Sequence, residues 1–173
     1  MPDDRLKKIR MVLLDVDGVL TAGEIIYSDS GEQTKIFNVQ DGVGIRLLQA
    51  AGIQVGIITG RKCEALRHRC ENLGIDLVFD DIREKEKALE AISAATNTTL
   101  EAMAYVGDDL PDLPVMKRVG LAVAVGDAHE IIRQVADFTT RAHGGKGAVR
   151  EISEVILKAQ GLWDDLIQRL FDG

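Results

Sequence analysis

Apolar residues along this chain fall into short unbroken runs, separated by longer stretches where they recur at helical spacing. Met11–Asp15, Gln54–Ile58, Leu77–Phe79, Ala104–Val106 and Leu121–Val125 are the runs. Each is of strand length and closes at or just before Gly, Thr or Asp, as strands buried on both faces of a parallel sheet do. Between them, 43–51, 63–73, 84–95, 113–119 and 130–136 carry helical patterns. A last long helix is expected from near Lys146, where Val149, Ile152, Ile156 and Ala159 form an apolar stripe. Regular strand–helix alternation implies right-handed crossovers and helices on both faces of the sheet. The expected fold is α/β: one doubly wound, Rossmann-like domain over residues 1–173, with a helical tail over about 146–173.

One segment breaks the alternation. Glu24–Ser28 and Thr34–Asn38 are β-prone and flank the turn-rich Asp29-Ser30-Gly31-Glu32, which predicts a β-hairpin over about 24–38. A lone two-stranded hairpin is marginal in water, so Ile25, Tyr27, Ile36 and Phe37 need a surface to pack on. The tail poses the same problem, since Leu162, Leu166 and Leu170 run beside Trp163, Ile167 and Phe171, a stripe wider than a solvent-facing helix shows. Self-association with closed symmetry would bury both.

Composition narrows the partners. A formal charge of −7 over 173 residues argues against nucleic acid or an anionic membrane as the main partner. An anion could bind such a chain only through a metal and locally placed basic groups. No apolar stretch reaches membrane-spanning length, and the acidic start Met1-Pro2-Asp3-Asp4 is unlike a signal peptide; a cytoplasmic location is expected. Cys63 and Cys70 form no Cys-x-x-Cys motif, and His68, His129 and His143 show no metal-ligand spacing.

The chemistry gathers at the strand ends. Asp15 and Asp17 follow the first strand directly and alternate along it, with Val16 on the other face. Carboxylates at the C-terminal edge of a parallel sheet sit where such sheets bind ligands. Two of them together repel unless a cation such as Mg²⁺ lies between them. Thr59-Gly60-Arg61 closes the second core strand, Lys85 opens the helix after the third, and Gly107-Asp108-Asp109-Leu110-Pro111-Asp112 closes the fourth. Singly, each has a plainer reading: a helix cap, a solvated charge, a polar turn. Together they put two acid pairs, a hydroxyl and an amine on one rim of one sheet.

That set suits phosphoryl transfer, which needs an in-line nucleophile and positive charge around the equatorial oxygens. Asp15 can attack phosphorus to form an aspartyl-phosphate, and Asp17 can protonate the leaving oxygen and then activate water. Asp15, Asp108 and the backbone carbonyl of Asp17 can hold Mg²⁺. Thr59, the Gly60 amide and Lys85 can hold the phosphate oxygens. Asp109 and Asp112 stand behind them, Asp112 steadying Lys85 or the water shell of the metal.

In this order and spacing, Asp15-x-Asp17-Gly-x-Leu-Thr21, Thr59-Gly60, Lys85 and Gly107-Asp108-Asp109-x-x-Asp112 resemble the motifs of the haloacid dehalogenase superfamily. Asp at the second position implies a phosphatase or phosphomutase. Phe37-Asn38-Val39-Gln40-Asp41-Gly42, Ile58-Thr59-Gly60-Arg61-Lys62, Tyr105-Val106-Gly107-Asp108-Asp109 and Gly144-Gly145-Lys146-Gly147-Ala148-Val149-Arg150-Glu151 extend the resemblance over nearly the whole chain. They are similar to the 3-deoxy-D-manno-octulosonate 8-phosphate phosphatase family. The resemblance implies a capless, Mg²⁺-dependent homotetramer that hydrolyses a phosphorylated sugar acid for lipopolysaccharide synthesis. The spacing agrees, because neither 15–59 nor 59–85 has room for a cap domain. The open site that follows disfavours a mutase, whose phospho-enzyme must be kept from water.

By the same resemblance, Arg61 and Arg69 lie where the family contacts the sugar acid, and Lys146, in a loop read as mobile, could close over a neighbour's site. Arginine matches a carboxylate bidentately. Relatives acting on nine-carbon sialic-type acid 9-phosphates tend to carry Glu where Arg61 stands, so Arg61 favours the eight-carbon acid, with the nine-carbon one as the alternative. Two other classes fit less well. A phosphoacceptor receiver domain would place its Lys before a Pro, and no Lys-Pro occurs. A catalytically silent binding subunit would be expected to lack one of the acids or Lys85, and all are present.

Overall fold

The computed structural model describes residues 3–172. In chain order its elements are α1 (Asp3–Leu6), β1 (Met11–Leu14), β2 (Ile26–Tyr27), β3 (Gln33–Thr34), α2 (Val39–Ala50), β4 (Gln54–Ile58), α3 (Glu64–Leu73), β5 (Leu77–Phe79) and α4 (Glu86–Thr96). There follow β6 (Met103–Gly107), α5 (Leu113–Met116), β7 (Leu121–Ala124), α6 (Glu130–Val135), β8 (Phe138–Thr139), α7 (Ala148–Ala159) and α8 (Trp163–Asp172). Six strands form one parallel sheet in the order β5-β4-β1-β6-β7-β8. The chain leaves β1 toward β4 and β5, then returns to its other side for β6, β7 and β8. The order therefore reverses between β1 and β6, the place where open α/β sheets bind ligands.

The apolar runs become strands because helices cover both faces of them. All of β1 and nearly all of β4, β6 and β7 are buried, in a core that also takes Ile45 and Leu48 from α2, Leu89 and Ile92 from α4, and Ile152 and Ile156 from α7. Cutting one of these central side chains, such as Leu13, to Ala is expected to cost about 2–5 kcal/mol. Register sets the rim. Leu14 pairs with Ile57 on one side and Val106 on the other, so the chain just beyond β1, β4 and β6 emerges side by side.

Four expectations need correction. The edge strand β8 was not anticipated; at two residues it is too short for any periodicity to register, and it exists by pairing with Val123 and Ala124. Helix α2 begins at Val39 rather than Val43, because the Asn38 side chain accepts from the Gln40 N–H at 2.7 Å and caps it there. The hairpin forms, but only Ile26–Tyr27 and Gln33–Thr34 are laddered. The tail is two helices, broken at Gly161, whose φ of 69° lies in the left-handed region that glycine tolerates. Leu162, Trp163 and Leu166 pack against this chain's own core. Trp163 also lies under Lys158 and Arg150, so this part of the apolar stripe is covered within one subunit. The side chains of Leu170 and Phe171 lie outside the described residues.

Candidate active site

A cavity of about 340 Å³ opens at the reversal point, lined by Asp15, Asp17, Thr59, Gly60, Arg61, Lys85, Asp108, Asp109, Pro111 and Asp112. The buried centre is Lys85, 5% exposed. Its ammonium donates to Asp15 Oδ1 at 2.7 Å, to Asp112 Oδ1 at 2.8 Å and to the Tyr105 hydroxyl at 3.3 Å. Burial alone would depress the Lys85 pKa, but Asp15 and Asp112 outweigh it and hold it above the ordinary lysine value. Lys85 therefore stays a cation beside Asp15.

Asp112 is the frame. One oxygen takes Lys85 and the Tyr105 hydroxyl, the latter at 2.6 Å. The other takes the backbone N–H of Asp108 at 2.9 Å and of Asp109 at 3.3 Å. Asp109 in turn accepts from the Leu110 N–H at 2.8 Å, closing a capping box with Asp112. The plain reading of this acidic stretch as a helix-capping turn thus describes it well, and the same capping fixes where Asp108 points. In the sequence Tyr105 is legible only as part of the family motif, because a lone aromatic within a buried strand reads as core.

Asp15, Asp108 and Asp112 each bring a carboxylate oxygen within 4.8 Å of the others. Burial, followed by the charges of its neighbours, raises Asp108 to about 8. Burial raises Asp15 to about 6, against the pull of Lys85. Acids so close and so desolvated are held ionised only by added positive charge, and an oxygen-only donor set of this kind suits a hard divalent cation. With Asp112 occupied on both oxygens, Asp15 and Asp108 are the carboxylates left to face such an ion. Gly18 makes the approach possible: its φ is 96°, and a Cβ there would lie 2.0 Å from Asp108 Oδ2.

Thr59 is buried, and its hydroxyl accepts from the Arg61 N–H at 3.3 Å. It keeps its own proton to donate. Asp17 is ion-paired through Oδ1 to Lys35 of the hairpin, and the Arg61 Nε stands 4.0 Å from its Oδ2. Lys35 was also missed, since a cation between Thr34 and Ile36 reads as the polar side of an exposed hairpin.

Two predicted substrate contacts stand apart. Arg69 donates to the Asn38 carbonyl at 3.1 Å and lies over the Phe37 ring, in a shallow depression with Val39, Val43, Arg46 and Leu73. It does not line the cavity. Lys146 is exposed, and its loop is not free to swing. Gly145 N–H donates to the Val19 carbonyl at 2.8 Å, Gly144 N–H to Asp127 at 2.9 Å, and Gly147 N–H to buried Asp41 at 3.2 Å. A Cβ on Gly144 would strike the Gly18 carbonyl at 1.7 Å, so this loop is locked onto the one that follows Asp17.

Comparison with known proteins agrees with this geometry. Residues 78–152 match the haloacid dehalogenase-like hydrolase family. The 3-deoxy-D-manno-octulosonate 8-phosphate phosphatase of Escherichia coli K12 is 46% identical over 161 residues, 93% of this chain and 86% of that one. The Yersinia pestis phosphatase of the same name superposes with a TM-score of 0.92 at 44% identity, covering 94% of this chain and 88% of that one. The Moraxella catarrhalis phosphatase, solved with magnesium, phosphate and the octulosonate, superposes with a TM-score of 0.95 at 40% identity, covering 98% and 97%. With this likeness running through nearly the whole length of both partners, the chain belongs to the 3-deoxy-D-manno-octulosonate 8-phosphate phosphatase family of haloacid dehalogenase-like hydrolases.

Proposed function

We propose that this protein hydrolyses 3-deoxy-D-manno-octulosonate 8-phosphate to the free sugar acid and inorganic phosphate, through an aspartyl-phosphate on Asp15. The observation that carries the reading is the buried Asp15–Lys85–Asp112 cluster at the sheet's reversal point, in a family whose Moraxella catarrhalis member was solved with the octulosonate, magnesium and phosphate. Asp15 attacks phosphorus while Asp17 gives a proton to the departing sugar oxygen. Asp17 then takes a proton from the water that attacks the phospho-enzyme, which frees phosphate and restores Asp15. Thr59, the Gly60 amide and Lys85 hold the phosphate oxygens. Asp15, Asp108 and the Asp17 carbonyl hold Mg²⁺, which neutralises charge on the phosphoryl oxygens when bound. Asp109 and Asp112 keep Asp108 and Lys85 in place.

Arg61, on the cavity wall, is the group in reach of a sugar-acid carboxylate. Arg69 and Lys146 join the substrate only where a neighbouring copy brings them to a cavity mouth. That assembly is proposed as a homotetramer, supported by the exposed apolar side of the hairpin. A cytoplasmic location fits a chain in which no described helix is long and apolar enough to cross a membrane. The test is Mg²⁺-dependent phosphate release from the eight-carbon acid 8-phosphate beside a nine-carbon sialic-type acid 9-phosphate. Faster turnover of the nine-carbon substrate would overturn the assignment.

A further inference from the structure

Beyond β3 the hairpin's return arm alternates between covered and exposed side chains. Ile36 is 68% exposed, whereas the side chain of its neighbour Lys35 is only 2% exposed and turned inward onto Asp17. A lysine buried to that degree without a partner would carry a heavy desolvation cost. Here the ammonium is paired with Asp17 Oδ1, while Oδ2 lies toward Arg61 on the cavity wall. Asp17 itself stands beyond the end of β1, in a loop whose tight turn is closed by the Val16 carbonyl accepting from Leu20 at 2.9 Å and Thr21 at 3.0 Å. That turn fixes the backbone and leaves the two side-chain torsions of Asp17 to be set by its partners.

We propose that Lys35 is a positioning residue for Asp17, dedicating Oδ1 to the ion pair so that Oδ2 is the oxygen that exchanges the proton. This rests on the role of Asp17 given above. An ammonium donates to a carboxylate oxygen and, more weakly, to the carbonyl oxygen of a carboxylic acid. Its contact with Oδ1 can therefore persist while a proton leaves Oδ2 for the sugar oxygen, and again while Oδ2 receives one from water. Proton transfer requires the transferring oxygen within hydrogen-bond reach of its target. A carboxylate free to rotate would hold that geometry only part of the time. The hairpin, otherwise remote from the chemistry, thereby fixes the orientation of one catalytic group.

The experiment is a double-mutant cycle on the full chain with Lys35→Met, Lys35→Arg, Asp17→Asn and the Lys35→Met/Asp17→Asn pair. It follows phosphate release from both the octulosonate 8-phosphate and para-nitrophenyl phosphate. Lys35→Met should lower kcat about 10- to 100-fold on the sugar phosphate and change KM less than about threefold, with Lys35→Arg recovering most of the loss. In the Asp17→Asn background the same change should cost less than about twofold, because nothing remains to be positioned. The same fold-loss in both backgrounds would overturn the proposal, as would an unaltered kcat in Lys35→Met. A raised KM unrescued by Arg would show a merely structural residue and overturn it too. Full activity in Asp17→Asn would instead remove the proton-transfer role of Asp17, a failure distinct from that of Lys35.

Discussion

The rim of the central sheet and the hairpin between β1 and α2 are built on opposite terms. At the rim, Lys85 and Asp112 are buried and matched, Lys85 with Asp15 and Asp112, Asp112 with Tyr105 and two backbone N–H groups, while Asp108 is left to face a cation. On the hairpin, apolar groups face outward, with Tyr27 at 62% and Ile36 at 68% exposure, and Val39 beyond them at 78%. The first arrangement is complete within one chain. The second has an unburied surface that a single chain does nothing to cover. Under the proposed function, the contrast separates two tasks: bond-making chemistry at the rim, and cover for the open cavity from whatever the hairpin meets. Lys35 is the joint between them, rooted in one region and paired in the other.

If the rim is self-sufficient, damage there should be severe on every substrate. Asp15→Asn is expected to lower turnover about 10⁴-fold or more on sugar and aryl phosphates alike, since an amide is no nucleophile. Circular dichroism should show the fold unchanged, and near wild-type activity would refute the mechanism. Lys85→Met breaks a buried cluster rather than a single bond. It leaves Asp15 and Asp112 facing each other without their cation, so we expect a loss of activity and about 3 kcal/mol of destabilisation by denaturant unfolding. Unchanged stability would mean that the acids relax independently of Lys85.

The two regions also differ in how far they can be read from sequence. The rim was legible because its acids, Thr59 and Lys85 all follow apolar runs, and parallel strands bring their C-terminal ends to one edge whatever the strand order. What stayed hidden depends on a third dimension. Tyr105 is apolar by pattern and reaches Asp112 only because β6 ends in a turn that folds back on it. Lys35 is polar by pattern, and it turns inward because the hairpin folds over the loop after β1. Arg69 is the opposite case: the family resemblance puts it with Arg61 at the sugar acid, whereas within one chain its guanidinium is taken up by the Asn38 carbonyl and the Phe37 ring. The edge strand β8 and the break at Gly161 were hidden for a simpler reason, being too short or too local to leave a period.

Arg61 lies on the boundary between the two tasks, and its variant separates them. Arg61→Glu puts a like charge beside both Asp17 and an incoming carboxylate. We expect sugar-acid turnover at low substrate to fall about 10²-fold, and aryl phosphate turnover by less than about tenfold. The loss common to both measures the effect on Asp17, and the excess measures recognition of the carboxylate. Equal losses on the two substrates would place Arg61 wholly with the rim.

The smallest effect on the chemistry itself should come from the hairpin's outer surface. Tyr27→Ser with Ile36→Ser removes exposed apolar area without touching Lys35, Asp17 or any rim residue. Burying each of those side chains against another copy is worth on the order of 1.5–3 kcal/mol, and closed symmetry repeats the contact around the assembly. The double variant should therefore shift light-scattering mass to lower-order species at micromolar protein. Its aryl phosphate turnover should stay within about twofold of the unmodified chain, because the rim is complete in one subunit. Sugar-phosphate turnover should fall more, since in the proposed tetramer the cavity would lose its cover and any contact from a neighbour's Arg69 or Lys146. A mass identical to that of the unmodified protein would show that the hairpin's outer face holds no copies together. An equal loss on both substrates would show instead that the hairpin reaches the chemistry by more than Lys35.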